Sequence, residues 1–322
     1  MREIIVNENN ANQRVDKFIL KYLNKAPKSF VYKMIRKKNF KLNDVKIDGS
    51  EILNAGDNLK LFLSDETIEN FREEIVPKKT NGTLDIVFED ENIIVANKPQ
   101  GVLSQPRKEE DKDTMVDRLL SYLYEKEELN FEDSQGFKPG VSNRLDINTS
   151  GLVVCGKNLR ATQRLNELIK EHKVDKFYLA VVKGVLTEDK TLKGYHYKDF
   201  KTNEATVSSR RRSSKDTEVE TMLHPLKNNG EYTLLSLKLI TGKSHQIRAS
   251  LKLLRTFVVG DRKYGDEDIN LYFKKKYGIS NQLLVANKLI INDEDGFLSY
   301  LNNREFEAPL YKQFKAIIND LF

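Results

Sequence analysis

The sequence predicts an α+β protein with a small N-terminal unit and a larger second domain. Two helix-like segments near the start are followed by short alternating strands. Beyond residue 84, strand-like segments outnumber helices and do not alternate strictly with them. Strict alternation would instead indicate a doubly wound parallel sheet. A chain of 322 residues is long enough for two domains.

The N-terminal unit, residues 1–66, is expected to begin with two amphipathic helices, because apolar residues repeat there with the helical period. We expect Ser29 to cap the second helix. The segment FKLNDVKIDG then alternates around Asn43-Asp44, which is typical of a hairpin. The repeating apolar positions are Val15, Phe18, Ile19, Tyr22 and Leu23 in the first helix and Val31, Met34 and Ile35 in the second.

Positive charge is concentrated in the same unit. Residues 1–63 contain 13 Lys and Arg against seven Asp and Glu, so they account for the whole net charge of +6. Such a surface is typical of proteins that bind a polyanion such as RNA, and a solvated basic face without a partner is the alternative. The cations expected on the outer side of the second helix are Lys33, Arg36, Lys37 and Lys38.

A charged segment, residues 67–83, contains Pro77 and includes Asn81-Gly82 near its end, so we expect a linker there. The second domain, 84–322, starts with LDIVFEDENIIVANKPQG, which predicts a strand, an acidic turn and another strand. Further strands are predicted at SGLVVCGK, DKFYLAVVKGVL and EYTLLSLKLITG, and helices at LRATQRLNELIKEHK and SHQIRASLKLL.

The composition excludes several classes of protein. A single cysteine, Cys155, rules out a disulfide framework, and together with only four dispersed histidines it argues against a zinc site. We therefore expect no metal and treat the histidines as structural or surface residues. No apolar run reaches the roughly 18 residues that a membrane span requires, and no signal-peptide pattern follows Met1. A cytoplasmic protein without membrane contact is expected.

One motif suggests a nucleotide site but lacks a required residue. Gly242-Lys243-Ser244 follow a predicted strand and precede a helix, as at the end of a phosphate-binding loop. That loop needs a glycine where this chain has Leu237, so its main-chain amides cannot wrap a triphosphate. We expect no nucleotide cofactor.

The segment VSNRLDINTSGLVVCGKN contains the strongest candidate for chemistry. Asp146 lies between Leu145 and Ile147 on a turn directly before an apolar strand, so its carboxylate is expected at the mouth of a sheet. An aspartate that only bonds its own turn is the alternative. A neighbouring guanidinium would keep the carboxylate ionised as a nucleophile or base, and Arg144 and Arg248 are the two candidates.

Tyr178 is a further candidate because it lies within an otherwise apolar strand. A core tyrosine with a satisfied hydroxyl is the default interpretation of such a position. The functional alternative is a ring that stacks on a nucleobase.

These residues belong to a larger pattern. NRLDINTSGLVV resembles the catalytic motif of the RluA-type pseudouridine synthases, which isomerise uridine in ribosomal and transfer RNA. Four other segments resemble motifs of that family, and all five occur in the family's order. The similarity covers residues 84 to about 310, and the layout most resembles the RluC and RluD branch. The N-terminal unit is similar to the ribosomal-protein-S-four-like RNA-binding domain. The other matching segments are EDENIIVANKPQGV, DKFYLAVVKGVL, LITGKSHQIRASL and VVGDRKYGD, with LLVANKLI in place of the closing strand.

The resemblance implies a pseudouridine synthase fold, in which a mixed, largely antiparallel β-sheet is flanked by helices. It also implies roles for individual residues. Asp146 matches the essential aspartate, Tyr178 the tyrosine that contacts the target base, and Arg248 the arginine that pairs with the aspartate. Arg144 matches the arginine implicated in extruding the nucleotide. Asn143 departs from the family, which usually has histidine at that position.

The implied reaction breaks the bond between ribose and a uracil nitrogen, turns the ring, and joins the sugar to carbon 5. Because substrate and product are isomers, no cofactor is expected. The carboxylate would either attack the anomeric carbon or abstract a sugar proton to form a glycal. Large-subunit ribosomal RNA is the expected partner and a monomer the expected state. A tRNA or other RNA substrate, and a non-catalytic ribosome-assembly factor, are the alternatives.

Overall fold

A computed structural model describes residues 1–73, 77–129, 136–199, 201–202 and 204–322. These residues form two β-sheets with helices, and the sheet of the N-terminal unit has a hydrophobic core of its own. The predicted α+β class is confirmed. Within the described ranges, the helices are all too short or too polar to cross a membrane.

The elements are numbered in chain order. The helices are α1 (Val15–Tyr22), α2 (Lys28–Arg36), α3 (Asp65–Phe71), α4 (Met115–Glu125), α5 (Leu159–Lys170), α6 (Gln246–Leu251), α7 (Glu267–Tyr277) and α8 (Lys312–Leu321). The strands are β1 (Arg2–Ile5), β2 (Phe40–Leu42), β3 (Val45–Lys46), β4 (Asn58–Leu61), β5 (Ile86–Glu89), β6 (Ile93–Lys98), β7 (Gly140–Val141), β8 (Ser150–Gly156), β9 (Val174–Lys183), β10 (Lys190–Asp199), β11 (Glu204–Ser208), β12 (Thr217–Asn228), β13 (Tyr232–Leu239), β14 (Phe257–Val258), β15 (Leu284–Ile291) and β16 (Arg304–Glu307).

The N-terminal unit packs α1 and α2 on a four-stranded antiparallel sheet of order β1-β4-β2-β3. Every apolar position predicted to face inward from the two helices is buried. The predicted hairpin at Asn43-Asp44 is confirmed, and both residues have the positive φ that a type I′ turn requires.

The start of α2 differs from the prediction. The helix begins at Lys28, directly after the extended residue Pro27, and Ser29 therefore lies inside its first turn. No side-chain hydrogen bond caps this end of the helix. The expectation that Ser29 is the cap is wrong.

The segment predicted as a linker, 67–83, begins inside α3. Ser64 caps this helix by accepting a hydrogen bond from the N–H of Thr67, and Asp65 in the first turn adds a favourable charge. Ile68 is buried in the core of the N-terminal unit. The linker prediction is therefore wrong for residues 67–71, which are helical. Their charged composition is compatible with a helix, because only one face of α3 needs to be apolar.

The large sheet has twelve strands. Its main order is β11-β10-β12-β13-β9-β15-β8-β6-β5, and β14, β16 and β7 pair with β9, β15 and β8. Among the described strands of this sheet, only β8 and β15 pair in parallel. The predicted mixed, largely antiparallel sheet is confirmed.

Close contact between β8 and β15 fixes the turn that precedes β8. Gly151 has a φ of +114°, and a Cβ atom at this position would overlap the carbonyl oxygen of Ala286 in β15. The pairing of β15 with β9 is also irregular between Val285 and Lys288, which is the part of β15 opposite Tyr178. Such bulges commonly occur beside functional sites because they redirect side chains.

Candidate active site

A cavity of about 830 Å³ opens beside the turn that leads into β8. Its wall contains Asp146, Tyr178, Arg248 and Arg144, which are the four residues that the sequence places at the site of chemistry. The tertiary structure therefore brings together side chains from a turn, from β9 and from α6.

Asp146 has a side chain that is 23% exposed. Its Oδ2 atom accepts a hydrogen bond of 2.9 Å from Nη1 of Arg248. Its Oδ1 atom makes no hydrogen bond to the described part of the chain. Arg248, and not Arg144, is thus the guanidinium that pairs with this carboxylate, and one carboxylate oxygen is left available to a ligand.

The main chain around Asp146 is fixed by short hydrogen bonds. The hydroxyl of Ser104 accepts from the N–H of Leu145 at 3.0 Å and donates to the carbonyl of the same residue at 3.1 Å. The carbonyl of Asp146 accepts from the N–H of Thr149 at 3.0 Å. The carboxylate is therefore carried by a rigid turn, as pre-organised chemistry requires.

Asn143 also anchors this turn. Its side-chain amide donates to the carbonyl of Leu152 at 3.1 Å and accepts from the N–H of Val154 at 2.8 Å. Both partners belong to β8, so Asn143 fastens the incoming chain to the strand that leaves the turn.

Arg248 is held by a second carboxylate that the sequence analysis missed. Asp261 is fully buried, and it accepts hydrogen bonds of 2.7 Å from Nε and 2.8 Å from Nη2 of Arg248. Its Oδ1 atom also accepts from the main-chain N–H groups of Lys263 and Tyr264. The only sequence signal was an aspartate in the segment VVGDRKYGD.

The two charges stabilise each other. Burial alone lowers the pKa of Arg248, but the hydrogen bonds and charge of Asp261 outweigh it and raise that pKa above its ordinary value. Burial alone raises the pKa of Asp261, but Arg248 outweighs it and the pKa lies below its ordinary value. Both groups are therefore ionised at neutral pH, and Arg248 presents a fixed positive charge to Asp146.

Tyr178 contributes an aromatic ring to the wall of the cavity and is 7% exposed. Burial, reinforced by the negative charge of Asp146, raises the pKa of Tyr178 well above its ordinary range. Its hydroxyl therefore keeps its proton and can donate a hydrogen bond.

Lys98 is a second residue that the sequence analysis missed. It is fully buried at the end of β6, and its Nζ atom donates to three main-chain carbonyls: Pro99 at 2.9 Å, Val102 at 2.6 Å and Ile147 at 2.9 Å. Burial lowers the pKa of Lys98 to about 7, although the charge of Asp146 opposes the shift. Lys98 thus ties the chain after β6 to the residue that follows Asp146.

The family model described as RNA pseudouridylate synthase matches residues 92–253, a span that includes Asp146, Tyr178 and Arg248. The chain belongs to the RNA pseudouridylate synthase family. A ribosomal large subunit pseudouridine synthase D of Borreliella burgdorferi is 35% identical over 217 residues, which are 66% of this chain and 65% of the relative. An RNA pseudouridine synthase of Mycoplasma genitalium is 30% identical over 81% of each chain. The protein is therefore an RNA pseudouridine synthase, an isomerase.

Solved structures support the fold of this pseudouridine synthase. Human RNA pseudouridylate synthase domain containing 4 superposes with a TM-score of 0.55 at 20% identity, over 73% of this chain and 92% of the human chain. Human RNA pseudouridylate synthase domain containing 1 gives a TM-score of 0.52 at 21% identity, over 76% and 97%. The predicted pseudouridine synthase fold is confirmed.

The cavity of the synthase is strongly cationic. Among its described lining residues, Asp146 is the only carboxylate, and no group of three or more His, Cys, Asp or Glu side chains in the described chain is arranged to hold a metal ion. Such a wall is suited to a substrate that carries phosphates. The lining cations are Arg107, Arg144, Lys176, Lys198, Lys243, Arg248, Arg262 and Lys263.

Four of the five predicted RNA-binding residues lie outside the cavity of the synthase. Lys33, Arg36, Lys37 and Lys38 are exposed along the second half of α2 and just after it. Arg144 is also exposed, but it lies on the wall of the cavity and makes no hydrogen bond or ion pair to the described chain.

Proposed function

We propose that this pseudouridine synthase modifies uridines of large-subunit ribosomal RNA, with Asp146 as its catalytic group. The convergence of Asp146, Arg248 and Tyr178 in one cationic cavity carries the proposal. The similarity to a relative named for the large ribosomal subunit supports this choice of RNA.

The proposed reaction is an isomerisation in which the bond between C1′ of the ribose and N1 of uracil breaks and a bond between C1′ and C5 forms. The proton on C5 is lost, and N1 of the product carries a proton. Oδ1 of Asp146 is the oxygen that acts, either on C1′ or on a sugar proton, because Arg248 occupies Oδ2. Tyr178 stacks on the detached uracil while it turns.

The target uridine has to leave its helix to reach this cavity, at a cost of a few kcal/mol. Arg144 is exposed on the cavity wall and free of protein partners within the described chain, so it can enter the RNA and take the place of the extruded base. The cations around the cavity contact the adjoining phosphates and offset the cost of flipping.

The N-terminal unit, in this proposal, is the docking domain. Its exposed cations Lys33, Arg36, Lys37 and Lys38 form one basic surface, named here the α2 surface. Contacts between this surface and phosphates add affinity without reading sequence.

The experiment that tests the function compares wild type, Asp146→Asn and Asp295→Asn on unmodified transcripts of large-subunit ribosomal RNA and of tRNA. Asp295 is exposed and serves as the matched control. Pseudouridine should form on the ribosomal transcript with wild type and with Asp295→Asn, and not with Asp146→Asn, while all three bind the RNA. Equal product with Asp146→Asn would refute the role of Asp146. Product on tRNA alone would refute ribosomal RNA as the substrate.

A further inference from the structure

His245 lies in the wall of the cavity immediately before α6. Its side chain is 13% exposed, and its Nε2 atom is 4.0 Å from Oδ2 of Asp146. This distance is too long for a hydrogen bond. The ring thus faces the proposed catalytic carboxylate without binding it.

Hydrogen bonds on the far side of the ring determine which nitrogen carries the proton. Nδ1 of His245 lies 2.9 Å from the hydroxyl of Tyr264, and that hydroxyl accepts a hydrogen bond of 2.8 Å from the N–H of Ala205. Within the described chain the Tyr264 hydrogen has no other acceptor, which favours donation of this hydrogen to Nδ1. In that arrangement Nδ1 accepts, and the neutral ring carries its proton on Nε2, which faces the cavity.

We propose that His245 donates a hydrogen bond from Nε2 to an oxygen of the nucleotide that binds beside Asp146. An N–H group that faces a cavity, and that has no acceptor within hydrogen-bond distance in the described ranges, gains most from a ligand that supplies one. Ribose hydroxyls and uracil carbonyls are the oxygens that a uridine brings to this position. The inference rests on the proposed function and adds a substrate contact to it.

The charges around His245 favour the neutral ring. Burial lowers its pKa, and Arg248, Lys263 and Lys198 lower it further, while Asp146 raises it. Protonation would also place a hydrogen on Nδ1 that the Tyr264 hydroxyl can accept only by turning its own hydrogen away. A protonated His245 ring would be attracted to the carboxylate of Asp146, and its Nε2 N–H would bind there instead of to the nucleotide.

The first arm of the test is NMR spectroscopy of the full-length protein with ¹⁵N-labelled histidine. The shifts should report a proton on Nε2 and none on Nδ1 of His245, and addition of uridine 5′-monophosphate should move the Nε2 signal. A proton on Nδ1, or an Nε2 signal that the nucleotide leaves unmoved, would overturn the proposal. This arm does not depend on turnover, so its result is separate from that of the proposed function.

The second arm is kinetic. Asparagine tolerates the left-handed conformation of His245, which has a φ of 55°, but its side chain does not extend to the Nε2 position. His245→Asn should lower kcat/KM by about tenfold or more, as expected for a lost hydrogen bond in the transition state. His172→Asn is the matched control, because His172 is exposed and has a φ of 60°. Equal rates for His245→Asn and wild type would overturn the proposal.

Tyr264→Phe separates this role from a structural one. It removes the donor to Nδ1 and keeps the ring, whose centroid lies 4.9 Å from Cζ of Arg248. Without this hydroxyl the described chain no longer holds the proton on Nε2, so the ¹⁵N shifts of His245 should report a larger share of the ring with its proton on Nδ1, and kcat/KM should fall. Unchanged ¹⁵N shifts of His245 in Tyr264→Phe would overturn the proposed control of His245 by Tyr264.

Discussion

The guanidinium of Arg248 donates two hydrogen bonds to Asp261, from Nε at 2.7 Å and from Nη2 at 2.8 Å. A third hydrogen bond, from Nη1 at 2.9 Å, goes to Asp146. A bidentate pair fixes the plane of a guanidinium, so Asp261 decides where the third hydrogen bond points. The position of the proposed catalytic carboxylate therefore depends on a buried carboxylate that does not line the cavity.

Asp261→Asn should reduce both stability and activity. The variant keeps the shape of the side chain but leaves the buried Arg248 without its compensating charge, which is expected to cost about 3 kcal/mol. Loss of the fixed guanidinium should also lower kcat, because misplaced catalytic groups react slowly. Denaturant unfolding and turnover on RNA measure the two effects. Asp295→Asn, on the surface, should match wild type in both, and a similar result for Asp261→Asn would contradict the role given to it.

Lys98 predicts a specific pH dependence of stability. Its pKa is about 7 in the folded protein and has its ordinary value of roughly 10.4 in the unfolded chain. Between these values the unfolded state binds more protons, so the free energy of unfolding should rise with pH by up to about 1.4 kcal/mol per pH unit from this group. Below about pH 7 both states carry the proton, and the contribution to the slope disappears.

Lys98→Met should remove this part of the slope and lower the stability, because the ammonium that donates to all three carbonyls below about pH 7 is lost. Denaturant titrations of wild type and variant from pH 6 to about pH 10 give the difference. Lys112→Met, at an exposed position, should leave the slope unchanged. A wild-type curve that stays parallel to that of Lys98→Met would disprove the lowered pKa.

Asn143→Ala tests the anchor between the turn and β8. The substitution removes two hydrogen bonds to the main chain of β8 and should destabilise the protein by about 1–2 kcal/mol. Turnover should fall more than RNA binding, because Asp146 is carried by the same turn. Thermal unfolding and single-turnover assays measure the changes. Asn9→Ala, at an exposed position, is the control, and equal behaviour of the two variants would argue against an anchoring role.

The α2 surface should control the salt dependence of RNA binding. Replacing its four cations by glutamine is expected to weaken binding and to reduce the slope of log K against log salt by roughly 0.7–0.9 for each phosphate that the protein no longer neutralises. Binding is measured at several salt concentrations. A variant with Lys274, Lys275, Lys312 and Lys315 replaced by glutamine has the same change in charge on other exposed surfaces. Equal slopes for the two variants would exclude a special role for the α2 surface.

Elements whose apolar pattern is local were predictable from the sequence. The stripes of α1 and α2, the strands β8, β9 and β13 and the hairpin at Asn43-Asp44 are all present. Periodicity and turn residues determine such elements without reference to distant parts of the chain. Strands β10, β11 and β12 were not predicted. Many of their residues are exposed and their composition is mixed, so their pairing with neighbouring strands, and not a local apolar pattern, makes them strands.

The sequence by itself determined the candidates Asp146, Tyr178 and Arg248, because their residue types and motifs are local. The residues alone left open whether Arg144 or Arg248 pairs with Asp146, and the tertiary structure decided for Arg248, as the family resemblance implies, since the partners are 102 positions apart in the chain. The tertiary structure likewise shows that Asp261 holds Arg248 and that Lys98 binds three main-chain carbonyls. Buried charges are stable only beside groups that compensate them. A short stretch of sequence shows neither that a side chain is buried nor which distant residue becomes its partner.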